Sequence, residues 1–248
     1  MSAVFKAFRS TDIGGRDENQ DSMLLLQKRD GAGSFIFLAS VADGAGGFGE
    51  GKRASKTLHD EIYRWFSATP ASVFLESQGK LMNMLDAKIK EIHAKMVEDA
   101  KAEGISYGTT LTLFLLLEDK KYIAAQVGDS RLYIYENGKL TRITKDQTVA
   151  QKERDTGKVI NCAGDKESIL LQCIGAGTVA PKYYEGTISA NAQILLCSDG
   201  QTNRLSDREI QEVLETNREG DEKLQILLRF ARNKLESDNI TTLLITKE

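Results

Sequence analysis

Apolar positions along this chain fall into two kinds of run. Short, nearly continuous runs bounded by glycine or polar residues predict buried strands. They lie at Ser34 to Ala42, Thr109 to Leu117, Lys121 to Val127, Gln193 to Cys197 and Ile240 to Thr246. Shorter runs add Ala3 to Phe8, Met23 to Leu26, Leu132 to Tyr135, Leu140 to Thr144, Ile169 to Ile174 and Tyr183 to Ile188. Asn137-Gly138 between two of these runs is a type I′ hairpin signal. Apolar residues at helical spacing come in two blocks. Ala54, Leu58, Ile62, Trp65 and Phe66 predict a helix from Gly51 onward. Leu81, Leu85, Ile89, Ile92 and Met96 predict a second, with Gly104 as its stop. In the later block, Ser206 and Glu209 form a capping box ahead of Ile210, Val213 and Leu214, and a last helix covers about 223 to 235. Asp146 to Ser168 is polar and poorly periodic, which predicts a short helix and a surface loop. Strands in hairpin order, with helices in separate blocks, favour an α+β fold with antiparallel sheets.

Composition narrows the classes. The chain has 248 residues, 41% hydrophobic and 28% charged, enough for a sizeable core. A net charge of −3 suggests no general nucleic-acid surface. The longest apolar stretch, Leu111 to Leu117, is too short to span a bilayer, so no membrane insertion is expected. The first residues lack the apolar core of a signal peptide. Cys162, Cys173 and Cys197 are odd in number and carry no CxxC spacing, so they read as reduced thiols in a cytoplasmic protein. The two histidines are placed on helices: His59 beside the apolar stripe as a structural residue, His93 on or near a polar face. One domain over 1–248 is expected, since no linker or repeat interrupts it.

Four acids share one setting. Asp21, Asp43, Asp199 and Asp238 each lie where a loop meets an apolar strand. Asp43 and Asp199 end such strands and are followed by Gly44 and Gly200. Two readings fit this spacing. One is four unrelated turn aspartates, whose side chains bond nearby backbone. The other is convergence at one end of the fold, where mutual repulsion calls for a divalent cation. Oxygen ligands without suitably spaced His or Cys would select a hard ion, Mg²⁺ or Mn²⁺. Two ions sharing Asp43 could activate a bridging water and hold a phosphoryl oxygen. Arg16, close in sequence to Asp21, could supply a bidentate phosphate clamp.

Six motifs in one order then resemble a known family. They are Arg16-x-x-Asn19-Gln20-Asp21, Val41-Ala42-Asp43-Gly44-x-Gly46-Gly47, Tyr107-Gly108-Thr109-Thr110-Leu111, Val127-Gly128-Asp129-Ser130-Arg131, Cys197-Ser198-Asp199-Gly200 and Ser237-Asp238-Asn239. Together they look like the metal-dependent protein serine/threonine phosphatases, the PPM or type-2C family, in its compact bacterial form. The resemblance implies a four-layer α-β-β-α sandwich of two antiparallel sheets flanked by helices. It implies hydrolysis of phosphoserine and phosphothreonine in proteins by a water bridging two Mn²⁺ or Mg²⁺ ions. Asp43 would bridge both ions and the Gly44 carbonyl would complete one. Asp199 and Asp238 would hold the other, with Asp21 there directly or through water. Asp129 would match the acid of a weaker third site, and Arg16 would bind the substrate phosphate. The segment at about 146–168 would be the flap beside the site. Phosphoproteins would be the substrates, with a Ser/Thr protein kinase or its targets as partners, and a monomer is expected.

Three positions depart from the family pattern. Ala45 stands where many eukaryotic members carry a histidine proposed as general acid, which leaves leaving-group protonation to metal-bound water. Gln20 replaces a common Glu, and Asn203 a common acid. No core ligand is lost, so an active enzyme is expected. The two substitutions also motivate an alternative, a catalytically weak phosphoprotein-binding regulatory module.

Overall fold

Period-two alternation inside the strands is what stacks this molecule into layers. The structure is a computed structural model that describes residues 5–31, 33–45, 50–117, 120–157 and 169–247. In chain order the first half comprises β1 (Phe5–Asp12), β2 (Ser22–Arg29), β3 (Phe35–Ala42), β4 (Gly44–Ala45), α1 (Glu50–Ala68), α2 (Ala71–Phe74), α3 (Gln78–Glu103), β5 (Gly108–Thr109), β6 (Leu111–Leu117) and β7 (Lys121–Val127). The second half comprises β8 (Arg131–Glu136), β9 (Lys139–Arg142), α4 (Val149–Asp155), β10 (Lys182–Thr187), β11 (Gln193–Cys197), α5 (Asp199–Thr202), α6 (Asp207–Leu214), α7 (Gly220–Asn233) and β12 (Ile240–Lys247).

Two five-stranded antiparallel sheets result, in orders β1-β12-β11-β8-β9 and β10-β7-β6-β3-β2, beside a small β4-β5 pair. In β3, Phe35, Phe37, Ala39 and Val41 face the other sheet, where Leu132, Ile134, Ile194, Leu196, Leu243 and Ile245 meet them. The alternate residues Ile36 and Leu38 face α1 and α3, packing with Leu58, Ile62, Leu85 and Ile89. On the far side, Tyr133, Leu195, Cys197 and Leu244 pack with Ile210, Leu214, Leu224 and Leu227 from α6 and α7. The order is therefore helix, sheet, sheet, helix. Strands covered on both faces read as continuous apolar runs, which is why β3, β6 and β11 stood out in the sequence. No helix among the described residues is long and apolar enough to cross a membrane.

Several local expectations are corrected. The first strand does not stop at Phe8 but runs on through the polar residues Ser10 to Asp12, pairing with β12 up to Asp12 opposite Ile240. Its edge position leaves alternate side chains in solvent, so polar residues are tolerated. Ile169 to Ile174 forms isolated bridges, Thr148 to Leu170 and Thr109 to Ile174, not a strand. His93 is buried, not on a polar face. Its Nδ1 accepts the Gly175 N–H at 3.2 Å, and its Nε2 lies 3.3 Å from the Gly177 carbonyl. The hairpin turn matches its signal, with φ of 52° at Asn137 and 74° at Gly138. Of the expected flap, α4 lies within the described residues and 158–168 outside them.

Candidate active site

Antiparallel register brings the scattered acids together. Ser22 pairs with Ala42, so Asp21 before β2 and Asp43 after β3 flank one edge of their sheet. Cys197 pairs with Thr242, so Asp199 after β11 and Asp238 before β12 flank the matching edge of the other. Gly128-Asp129-Ser130 crosses from β7 in one sheet to β8 in the other. A cavity of 540 Å³ opens at this edge, lined among others by Arg16, Asp43, Gly44, Asp129, Asp199 and Asp238. Asp21 flanks the same edge without lining the cavity.

Each side chain is held by neighbours. Thr110 donates its N–H to the Asp43 carbonyl at 2.8 Å and accepts the Asp43 N–H on Oγ1 at 2.9 Å. The Thr109 hydroxyl adds a bond to the same carbonyl at 2.9 Å. Gly44 admits no side chain, because a Cβ would sit 2.1 Å from the Gly51 carbonyl oxygen. Ser198 donates its hydroxyl to Asp21 Oδ2 at 2.8 Å and accepts the Thr241 N–H at 3.0 Å. Asn203 donates to Asp199 Oδ2 at 3.3 Å. Asn239 pins the loop that carries Arg16. Its amide donates to the Ile13 and Glu18 carbonyls at 2.9 and 3.0 Å, and its Oδ1 accepts the Gln20 N–H at 2.8 Å. Arg16 makes a fork on Asp238, with Nε 3.1 Å from Oδ1 and Nη2 2.8 Å from Oδ2.

Burial dominates the electrostatics. It pushes Asp43 well above the usual carboxylate range, and the charges of Asp21, Asp199 and Asp129 add to it. Asp129 is raised by burial and then by Asp199 and Asp146. Asp199 is raised by burial and by Asp238. Asp21 rises to about 7, mainly by burial, despite the hydrogen bond from Ser198. Arg16 is raised, chiefly by its hydrogen bond to Asp238. Carboxylates pushed together out of water destabilise one another's charged forms.

No three His, Cys, Asp or Glu side chains among the described residues converge closely enough to hold an ion as they stand. In this arrangement Asp21 Oδ2 faces Ser198, Asp199 Oδ2 faces Asn203, and both oxygens of Asp238 face Arg16. The donor set nevertheless suits a hard cation. Asp21 Oδ1 and Asp199 Oδ1 are buried without a hydrogen bond among the described residues, and an oxygen left so is costly unless something positive meets it.

A sequence profile described as Protein phosphatase 2C matches residues 13–235. The chain belongs to the protein phosphatase 2C family. It is a protein serine/threonine phosphatase by class. It is similar to the serine/threonine phosphatase stp of Listeria monocytogenes, 29% identical over 255 residues that span 100% of this chain and 96% of the relative. Among solved structures it resembles the S. agalactiae serine/threonine phosphatase, with TM-score 0.86, 28% identity and 99% and 100% of the two chains covered. A further likeness, TM-score 0.80 at 27% identity over 98% of each chain, is to the catalytic domain of PstP in complex with two manganese ions.

All the acids singled out from the sequence of this protein phosphatase 2C member, with Arg16, lie at one edge. Gly46 and Gly47, which followed Asp43-Gly44-Ala45 in the motif, lie outside the described residues. Sequence reasoning assigned no task to Thr110, Ser198 or Asn239. Their signal was present in the motifs, but a residue that holds backbone in place looks like any other polar loop residue.

Proposed function

We propose that this phosphatase hydrolyses phosphoserine and phosphothreonine in proteins with two Mn²⁺ or Mg²⁺ ions. The products would be the free hydroxyl side chain and inorganic phosphate. The observation that carries the reading is the pair of buried, unbonded oxygens on Asp21 and Asp199 inside a cluster of desolvated acids. Asp43 would be shared by both ions, with the Gly44 carbonyl on one of them. Asp199 and Asp238 would hold the other, with Asp21 there directly or through water. Asp129 would offer a weaker third site. When bound, the two ions would supply an activated bridging water and neutralise charge on the phosphoryl group.

The protein's own groups would do the rest. Arg16 would turn its fork from the carboxylate of Asp238 to two phosphate oxygens, which have matching geometry. Thr110 would keep Asp43 in place through both backbone bonds. Asn239 would keep the Arg16 loop against the site. His59 and His93 are core residues, so neither stands ready to protonate the leaving oxygen. The substrates would be proteins modified by a Ser/Thr protein kinase, whose reaction this enzyme reverses.

The test is phosphate release from a phosphothreonine peptide with Mn²⁺, with Mg²⁺ and with chelator. Turnover with either ion and none with chelator is expected. Turnover that survives chelation overturns the two-ion reading. Peptide binding without turnover at saturating Mn²⁺ favours the binding-module alternative.

A further inference from the structure

The turn between α7 and β12 is built around a carboxylate that none of the catalytic motifs contains. α7 ends in a Schellman arrangement, with the Leu235 N–H on the Arg232 carbonyl at 2.9 Å and the Glu236 N–H on the Ala231 carbonyl at 3.1 Å. The left-handed residue of this turn is Leu235, at φ 60° and 83% exposed. Glycine is the usual occupant there. The residue that follows is turned inward: the Glu236 side chain is only 5% exposed. Its Oε1 accepts the N–H groups of Ser237 and Asp238, both at 2.8 Å. Its Oε2 is buried without a hydrogen bond among the described residues, and Arg204 Nε lies 3.5 Å away. Arg204 follows α5, the helix that begins at Asp199. The Ser237 carbonyl in turn accepts the Gly15 N–H at 3.0 Å, one residue before Arg16. Gly14, at φ 64°, packs so closely on the Asp238 carbonyl that a Cβ would lie 2.0 Å from its oxygen.

We propose that Glu236 is a positioning residue of the active site. Its buried carboxylate fixes the Ser237–Asp238 backbone, and with it both the Asp238 carboxylate and the loop that carries Arg16. Arg204 ties this turn to the junction that carries Asp199. One oxygen accepting two consecutive N–H groups restrains the peptide between them, so the base of the Asp238 side chain is set before any ligand arrives. A buried, loosely paired carboxylate is a costly way to close a turn. The charge is accounted for by what lies beside it, a site that takes cations. The inference rests on the two-ion reading.

The test compares Glu236→Ala, Glu236→Gln and Arg204→Met with the unaltered protein. Titration calorimetry reads the Mn²⁺ dissociation constant, thermal unfolding in chelator reads the fold, and kcat and KM are taken with a phosphothreonine peptide. Glu236→Ala should weaken Mn²⁺ binding about 10- to 100-fold, the range seen when outer partners of metal ligands are removed. Glu236→Gln keeps an acceptor oxygen and should restore most of that affinity. Arg204→Met should show a smaller loss in the same direction. A folded Glu236→Ala protein with unaltered Mn²⁺ affinity overturns the proposal, even if its melting temperature falls, because that is the signature of a merely structural turn. If Glu236→Ala does not fold, unaltered Mn²⁺ affinity in Arg204→Met overturns it instead. Absence of Mn²⁺ binding by the unaltered protein overturns the two-ion reading first, and this inference with it.

Discussion

His59 and the acid cluster are both desolvated and titratable, and two of the acids, Asp21 and Asp43, adjoin the two strands that His59 bridges. His59 bridges Ser22 and Ser40, with Nδ1 2.7 Å from one hydroxyl and Nε2 3.0 Å from the other. Asp21 precedes Ser22 and Asp43 ends the strand that contains Ser40. Burial acts on both regions in one sense, against the charged form. It lowers His59 to about 3 and raises Asp21 to about 7. The regions differ in completion. Both nitrogens of the imidazole have partners, whereas Asp21 and Asp199 each keep one buried oxygen without a hydrogen bond among the described residues. A perturbed pKa is therefore shared by a structural residue and a reactive one. What separates them is whether the hydrogen bonding is finished within the protein.

The largest effect should come from the unfinished side. Asp199→Asn removes one of the acids proposed to hold an ion, and Mn²⁺-dependent phosphate release should fall by at least about 10³-fold in kcat/KM. The ion-free protein should gain stability, since a buried repelling charge is lost. Near-normal phosphate release by Asp199→Asn would erase the difference between the two regions. The finished side should respond in the opposite way. His59→Phe leaves the Ser22 and Ser40 hydroxyls short of a partner, at about 1–3 kcal/mol each. Thermal unfolding should register that loss, while kcat of the folded fraction stays close to normal. A His59→Phe protein that melts normally but loses turnover would move the histidine into the catalytic machinery.

The same contrast governs what could be read from the sequence. Strands β3, β6, β7 and β11 were legible because both faces are covered, which makes them predominantly apolar. The acids were legible as strand-end residues, but their convergence depends on register, such as Ser22 opposite Ala42, which no residue pattern encodes. It was the order of six motifs that chose between isolated turns and a site. Polar residues that complete backbone bonding were the weakest signal. The second half of β1 did not read as strand because its edge position tolerates polar residues, with Arg9 and Thr11 exposed. His93 read as surface because its partners are carbonyl and amide groups at Gly175 and Gly177, more than eighty residues away in sequence. Glu236 drew no reading at all, since nothing local signals that a left-handed turn at Leu235 carries it inward.

A smaller effect, visible in chelator, is a pair of opposed pH responses. Asp21 is raised from 3.8 to about 7, so its contribution to stability is complete below pH 3.8 and lost as pH rises through about 7. His59 is lowered from 6.5 to about 3, so its contribution is complete above pH 6.5 and lost as pH falls through about 3. Melting temperatures between about pH 4 and 7 should separate the two. Asp21→Asn removes a contribution that declines with pH, so stability should climb more steeply with pH. His59→Phe removes one that grows with pH, so the climb should flatten. Slopes that move in the same direction for both variants would show that burial is not the common cause.

The smallest effect concerns a residue between the two classes, Leu235. It touches no ligand in the proposed mechanism, yet it holds a left-handed conformation in front of a buried carboxylate. An L-residue there costs about 1–2 kcal/mol. Glycine relieves that strain but returns about 0.4–1 kcal/mol to the unfolded chain as entropy. Leu235→Gly should therefore stabilise by about 0.5–1 kcal/mol, a rise of about 1–4 °C in Tm for a chain of this size. Because the turn and the Glu236 hydrogen bonds persist, Mn²⁺ affinity and kcat should stay put. That outcome makes Leu235 incidental strain and Glu236 alone the functional part of the turn. A stabilised protein with weakened Mn²⁺ affinity would instead mean that the stiffness of an L-residue at this φ helps to aim Glu236, placing the turn itself on the unfinished side of the comparison.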